Sequence, residues 1–254
     1  MTMWTAVTLV TFALAPLSVV SQTTTLVSEP RDVSAGFNGI AVDGPFLINV
    51  ELTDGPESLV LKGDPAFVAA VKTPVENGTL KIRLYKWQPK KGAAPLQVSI
   101  TARSLINLIA AGSAQVASRS VLKAQTMRVV VSGAAQVVAN YECANLVVVA
   151  SQSGSMIGAV STKNLNAVLD NFASASISGT SDNSNIVASG SAVFHGFDLL
   201  SATVSATANG AGRIEVAATQ QIKAVAADDG VVRTKGTDDV VKDTTDNGSV
   251  EPSA

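Results

Sequence analysis

The chain has 254 residues, and its 18 Lys and Arg against 20 Asp and Glu leave a net charge of −2, so no broad basic field draws nucleic acid or an anionic membrane. One cysteine excludes an intramolecular disulfide, and one histidine excludes a multi-histidine zinc site and leaves little room for a Ser-His-Asp triad.

From the N-terminus, Trp4 to Val20 is apolar and uncharged and runs into Val19-Val-Ser21-Gln22. It reads as a secretory signal peptide over residues 1–21, removed near Ser21, the alternative being an N-terminal anchor. No later run is apolar for long enough to span, so the mature chain is expected to be soluble, secreted or surface-associated, without a membrane span. Residues 22–36 are polar and read as a loose leader.

From Phe37 to residue 104, short β-rich runs alternate with Asp43-Gly-Pro, Asp54-Gly-Pro and similar turns. Asp64-Pro-Ala-Phe-Val-Ala-Ala-Val71 breaks the cadence. Asp at a cap, Pro at the first helical position and apolar residues behind predict about two helical turns, ended by Pro74. Asn77-Gly-Thr79 is a glycosylation sequon and also a hairpin-turn dipeptide, the turn being the simpler reading. Tyr85 and Trp87, with Lys86 and Lys90 nearby, are the residues for a surface contact, against the plainer reading that they cover a strand layer.

Between Leu105 and Gly236 a small-residue core followed by a β-branched or aromatic residue returns seven times, ending at Val116, Val137, Ile157, Ile177, Phe194, Ile214 and Val232. The steps are 21, 20, 20, 17, 20 and 18 residues. That period predicts stacked units that bury their apolar faces only against one another. Small residues fit tight corners, where Gly accepts positive φ. The unit from Asn171 to Ile177 has no Gly, so its corner is expected to be tighter or shifted. A sandwich would want stronger period-2 polarity and more aromatic anchors, and a propeller longer units. The fold class is therefore all-β: a right-handed parallel β-helix or solenoid over residues 105–236, behind a β-rich N-terminal part, 37–104, with one short helix. Residues 237–254, acidic and poor in apolar side chains, read as a disordered tail that carries a second sequon at Asn247.

No catalytic, cofactor or metal residue emerges. Asp170, Asp182 and Asp198 miss the period in their spacing, and Asp228-Asp229, read as strand neighbours, would point to opposite faces. His195 reads as an isolated imidazole, Cys143 as a small buried hydrophobe, and Gly210-Ala-Gly-Arg-Ile lacks the third Gly and the helix of a phosphate loop.

Phe37-Asn-Gly-Ile-Ala-Val-Asp-Gly-Pro-Phe-Leu-Ile-Asn-Val50, then Leu61-Lys-Gly-Asp64, Asn77-Gly-Thr-Leu-Lys-Ile82 and the Gly-Ser-Ala units resemble the putative auto-transporter adhesin head GIN domain over about 37–236. The resemblance implies a secreted or envelope-associated β-helical domain with no family catalytic residues to carry over. The expected function is a non-enzymatic, adhesin-like surface-interaction module for an extracellular glycan or protein, with no cofactor. The alternatives are a polysaccharide-active β-helix enzyme and a scaffold that self-associates into homo-oligomers through rung edges.

Overall fold

The computed structural model describes residues 26–33, 36–85 and 94–253. The expected signal segment, residues 1–21, lies outside them. In chain order the N-terminal elements are β1 (Val27–Arg31), β2 (Gly39–Asp43), β3 (Phe46–Leu52), β4 (Ser58–Gly63), α1 (Pro65–Ala70), β5 (Val71–Lys72), β6 (Val75–Glu76), β7 (Thr79–Leu84) and β8 (Leu96–Ala102). There follow β9 (Asn107–Ala111), β10 (Gln115–Ser118), β11 (Leu122–Val131), β12 (Gln136–Val138), β13 (Tyr141–Ala150), β14 (Ser155–Leu169), β15 (Ser174–Ala188), β16 (Val193–Ala208), β17 (Arg213–Ala226), β18 (Val231–Lys235), β19 (Val240–Thr244) and β20 (Ser249–Pro252).

From β2 onward the rungs stack in parallel into a β-solenoid of about 8 turns. Stacking begins before Leu105, because β2 pairs with β9 and β3 with β10. Below them β7 and β8 complete a further layer. The N-terminal end is closed by antiparallel β4 and β1 and by α1. Asp64 caps this helix, accepting from the Ala66 and Phe67 amides at 2.8 and 3.3 Å, with Pro65 in the first turn, as the sequence predicts. Its Phe67 ring meets Phe46 with centroids 6.0 Å apart. The polar leader is therefore not loose throughout: β1 pairs with β4, and Arg31 donates through Nη2 to the Val68 carbonyl at 3.0 Å.

Within a rung, strict in-out alternation fails at two places. In β14 these are Ile157 to Ala159 and Lys163-Asn164, where the chain bends between flat sides. A third corner is the turn before each small-residue core. There the backbone is left-handed in rung after rung: Gly112 (φ 68°), Gly133 (72°), Gln152 (60°), Asn171 (62°), Gly190 (70°), Gly210 (64°), Asp228 (56°) and Asp246 (53°). The corner without Gly is not shifted, because Asn171 adopts the same conformation, which Asn tolerates better than most residues. Gln152 is the least suited side chain in the series. Gln152→Gly is expected to stabilise the protein by about 0.5–1 kcal/mol, the relief of left-handed strain less the entropy Gly adds to the unfolded chain. A urea midpoint that stays put or falls would contradict this.

The inward column of the first side runs Val116, Val137, Met156, Ala175, Phe194, Ile214, Val232 and Val250. Steps between 116 and 232 are thus 21, 19, 19, 19, 20 and 18. The small-residue cores predict Ile157 and Ile177 for this column, one and two residues beyond the Met156 and Ala175 that occupy it. Ile157 is exposed, and Ile177 is buried at the next corner. Sizes compensate along the column: Phe194 sits beside Ala175, and both are fully buried.

The described part of the expected disordered tail, residues 237–253, carries two strands. β19 pairs with β17, and β20 with β18, adding a last rung whose Val240 and Val250 pack against the core. At the Lys163-Asn164 corner an amide ladder climbs the rod. Asn145 donates to Thr126 Oγ1 (3.4 Å), Asn164 to Asn145 Oδ1 (2.9 Å), Asn183 to Asn164 Oδ1 (3.2 Å) and Thr203 to Asn183 Oδ1 (2.8 Å).

Tyr141 is buried, and its hydroxyl has no hydrogen-bond partner among the described residues. Burial, with a smaller contribution from Cys143, pushes its phenol well above the ordinary range. Tyr141→Phe is expected to raise stability by about 1 kcal/mol at neutral pH, since an unmade buried hydrogen bond is removed. The folded-state value is raised, so the phenol's contribution is present below about pH 10 and fades as the unfolded chain ionises above it. The variant's stability should fall less steeply above pH 10. Equal alkaline slopes would refute the assignment.

Candidate ligand-binding groove

The most irregular rung builds the candidate site. β14 and β15 stay in register through their corner, pairing Gly158 with Ile177 and Val160 with Gly179. In β16 the step from His195 to Leu199 takes four residues where β15 takes three, from Ser176 to Gly179. Against β17 the mismatch grows, because Gly196 and Leu200 face the consecutive Val216 and Ala217. Phe197 and Asp198 consequently have no register partner on either neighbouring rung and form a β-bulge, a device that re-aims side chains. Gly196 lets the chain enter it, since a Cβ there would lie 2.4 Å from the Phe194 ring and 2.8 Å from the Glu215 carbonyl oxygen. Phe194 and Leu199 stay buried on either side, leaving Phe197 half-buried and Asp198 exposed.

The bulge walls a surface groove of about 490 Å³. Val138, Ile157 and Ser176 follow one another up its floor, and His195 and Glu215 continue the same outward column. Val138 and Ile157 are about two-fifths exposed, at 41% and 42%. Asn140 holds the corner beside them, its Oδ1 accepting from the Ala159 amide at 3.0 Å. At the far end of the groove the column becomes ionic and runs on past it: His195 Nδ1 lies 2.8 Å from Glu215 Oε2, Arg233 Nη1 3.9 Å from Glu215 Oε1, and Arg233 Nε 3.6 Å from Glu251 Oε2. Exposed pairs of this kind contribute little to stability, roughly 0–1 kcal/mol each.

His195 is therefore not isolated. Glu215 stands 20 residues on, one rung away, and the structure gathers it with Asp198 around one groove. The other acids are dispersed. Asp170 accepts from Asn171 Nδ2 (3.0 Å), and Asp182 lines a second, wider surface depression on the next side. Asp228 and Asp229 occupy a turn, not a strand, and accept from the Gly210 amide (3.2 Å) and Asn247 Nδ2 (3.2 Å). Among the described residues no three His, Cys, Asp or Glu side chains group closely enough to hold a metal ion.

Asn77 and Gly78 form the β6–β7 hairpin turn with φ of 51° and 70°, the backbone an Asn-Gly hairpin prefers. Asn77 and Asn247 are exposed. Tyr85 is exposed at the end of β7, and its amide donates to the Ala70 carbonyl. Trp87 lies outside the described residues. Cys143 is buried, its Sγ 3.9 Å from Thr162 Oγ1; burial pushes its thiol up, and the contact with Thr162 opposes that shift in part. No helix is long and apolar enough to cross a membrane among the described residues.

Residues 36–237 match the model of a family described as "Putative auto-transporter adhesin, head GIN domain". Solved structures share the fold. A putative lipid binding protein from Parabacteroides distasonis ATCC 8503 superposes with a TM-score of 0.84 at 20% identity, covering 91% of this chain and 98% of its own. A putative adhesin from the same strain gives 0.83 at 23% identity, and one from Parabacteroides merdae ATCC 43184 gives 0.79 at 19%, both with the same 91% and 98% coverage. No match was found among curated proteins.

Proposed function

Because the chain belongs to the putative auto-transporter adhesin head GIN domain family, we propose that it is a non-enzymatic surface-interaction module, acting outside the cytosol on a glycan or protein. The observation that carries this reading is the outward column from Val138 to Glu215, where apolar and polar side chains stand at fixed rung spacing beside the bulge of β16. A stiff stack of parallel rungs presents such a column already ordered, so little conformational entropy is lost on binding. Secretion is supported by the apolar run from Trp4 to Val20.

A second reading, a polysaccharide-active enzyme, is favoured by one observation only: Asp198, His195 and Glu215 share a groove, and paired carboxylates are the working groups of glycoside cleavage. A third, self-association through rung edges, meets a net acidic last rung, where Asp238, Asp239, Asp243, Asp246 and Glu251 outnumber Lys242, a charge excess that opposes edge pairing between copies.

Adhesion of the purified full chain to cells, matrix proteins and immobilised polysaccharides, with reducing ends assayed on the same polysaccharides, separates the readings. Saturable attachment without new reducing ends is the expected result. Turnover would establish the enzyme, and the absence of attachment to any surface would remove the adhesive reading.

A further inference from the structure

We infer that the groove beside the β16 bulge is a saccharide site that takes a neutral, hydroxyl-rich glycan chain lying along the rod axis. The inference rests on the surface-interaction reading and names its ligand class. From Val138 to Glu215 the groove crosses four rung steps, about 19 Å at the spacing of stacked strands, and it lies open at the surface. That shape suits a stretch of chain better than a compact ligand, which is ordinarily buried over most of its surface.

The lining narrows the chemistry. Asp198, Glu215, Asn140, Ser176 and Ser178 offer oxygen acceptors, and no Lys or Arg lines the groove. Carboxylates and hydroxyls facing outward suit ligands rich in O–H donors, and the exposed carboxylate of Asp198 disfavours polyanions, while Glu215, held by His195 and Arg233, acts as an acceptor. Phe197, Ile157 and Val138 supply apolar surface, and the C–H faces of pyranose rings pack on such surface, an aromatic ring above all. The rungs flanking the bulge are hydrogen-bonded to neighbours above and below, so no free strand edge invites an extended peptide, which gains its affinity from main-chain ladder bonds.

The test uses soluble β-glucan, mannan and dextran as neutral probes and polygalacturonate as an acidic one, against the full chain and the variants Phe197→Ala, Asp198→Asn and Glu215→Gln. Phe172→Ala serves as a control, since Phe172 is the most exposed aromatic among the described residues and lies at a different corner. Retention of at least one neutral glycan is expected, weakened tenfold or more in Phe197→Ala and several-fold in the two carboxylate variants, and unchanged in Phe172→Ala. Circular dichroism and melting curves identify any misfolded variant, and exposed Asp198 provides a substitution that leaves the core untouched. Equal retention by wild type and Asp198→Asn, retention of polygalacturonate alone, or retention of no glycan would each overturn the inference. Failure of the two proposals is distinguishable: cell or matrix attachment that persists in both Phe197→Ala and Asp198→Asn removes the groove and keeps the surface-interaction module, whereas the absence of attachment to any cell, matrix or polysaccharide removes both.

Discussion

A single methyl group at Gly158 is expected to lower stability by about 3 kcal/mol, at the upper end of what overpacking costs. A Cβ on Gly158 would stand 1.8 Å from the Ala139 carbonyl oxygen and 2.9 Å from its carbon. Both atoms are backbone, and Ala139 is itself tied to this rung, its amide donating to the Ile157 carbonyl at 3.1 Å. No rotamer change can clear the contact, so two rungs must part. Gly39 gives the comparison: its added Cβ would approach the Thr79 hydroxyl at 2.7 Å, a side chain that can turn away. Gly39→Ala should therefore cost about 1 kcal/mol or less. Denaturant unfolding of both variants checks the contrast, and a Gly158→Ala protein within about 0.5 kcal/mol of wild type would show that the corner is not packed backbone to backbone.

Removing residues 237–254 is expected to cost about 2–4 kcal/mol, where a disordered tail would cost nothing. Partial burial of Val240 and Val250 and the nearest-neighbour coupling of a stacked rung both contribute to that cost. The Thr245, Ser249 and Ser253 amides donate to Ala226, Gly230 and Thr234 at 3.0, 2.9 and 2.7 Å, and these bonds go with the deletion. Ile222 and Val232, now fully buried, would lose their cover. The newly exposed edge is more apolar than the one it replaces and sheds Asp239, Asp243 and Glu251, so the truncated protein should also associate as its concentration rises. Hydrogen exchange on the amides of β17 and β18 is the direct readout. Unchanged protection there, with an unchanged melting temperature, would show that the last rung is not coupled to the stack.

The solenoid was legible because each rung repeats an inward residue on every side, and repetition survives in sequence even when individual residues vary. Register was less legible. Small-residue cores mark the corner, but which following residue points inward depends on where alternation restarts, and Ile157 and Ile177 looked apolar enough to mislead. The last rung is faint in the sequence because a terminal rung needs few inward side chains, and Val240 and Val250 are diluted by solvated acids. Left-handed corners could be guessed where Gly stood and not where Gln152 or Asn171 took its place. In the groove, the 20-residue spacing of His195 and Glu215 carries a signal, faint because the pair joins an imidazole to a carboxylate and only one such pair occurs. The bulge at Phe197-Asp198 left only a drift in the period, since a local insertion and a longer corner look alike in one dimension.

The parallel ladder has a mechanical consequence. Its hydrogen bonds run along the rod, so a pull that separates the two ends lengthwise loads all sides of a rung together and is resisted by many bonds at once. A pull that draws out the chain from its C-terminal end meets only the outermost rung, because each rung is held by its neighbours alone. Unravelling should then proceed in steps of one rung, 18 to 20 residues over most of the stack, each releasing about 65 Å of extended chain. The same molecule is stiff as a strut and yields in increments as a tether.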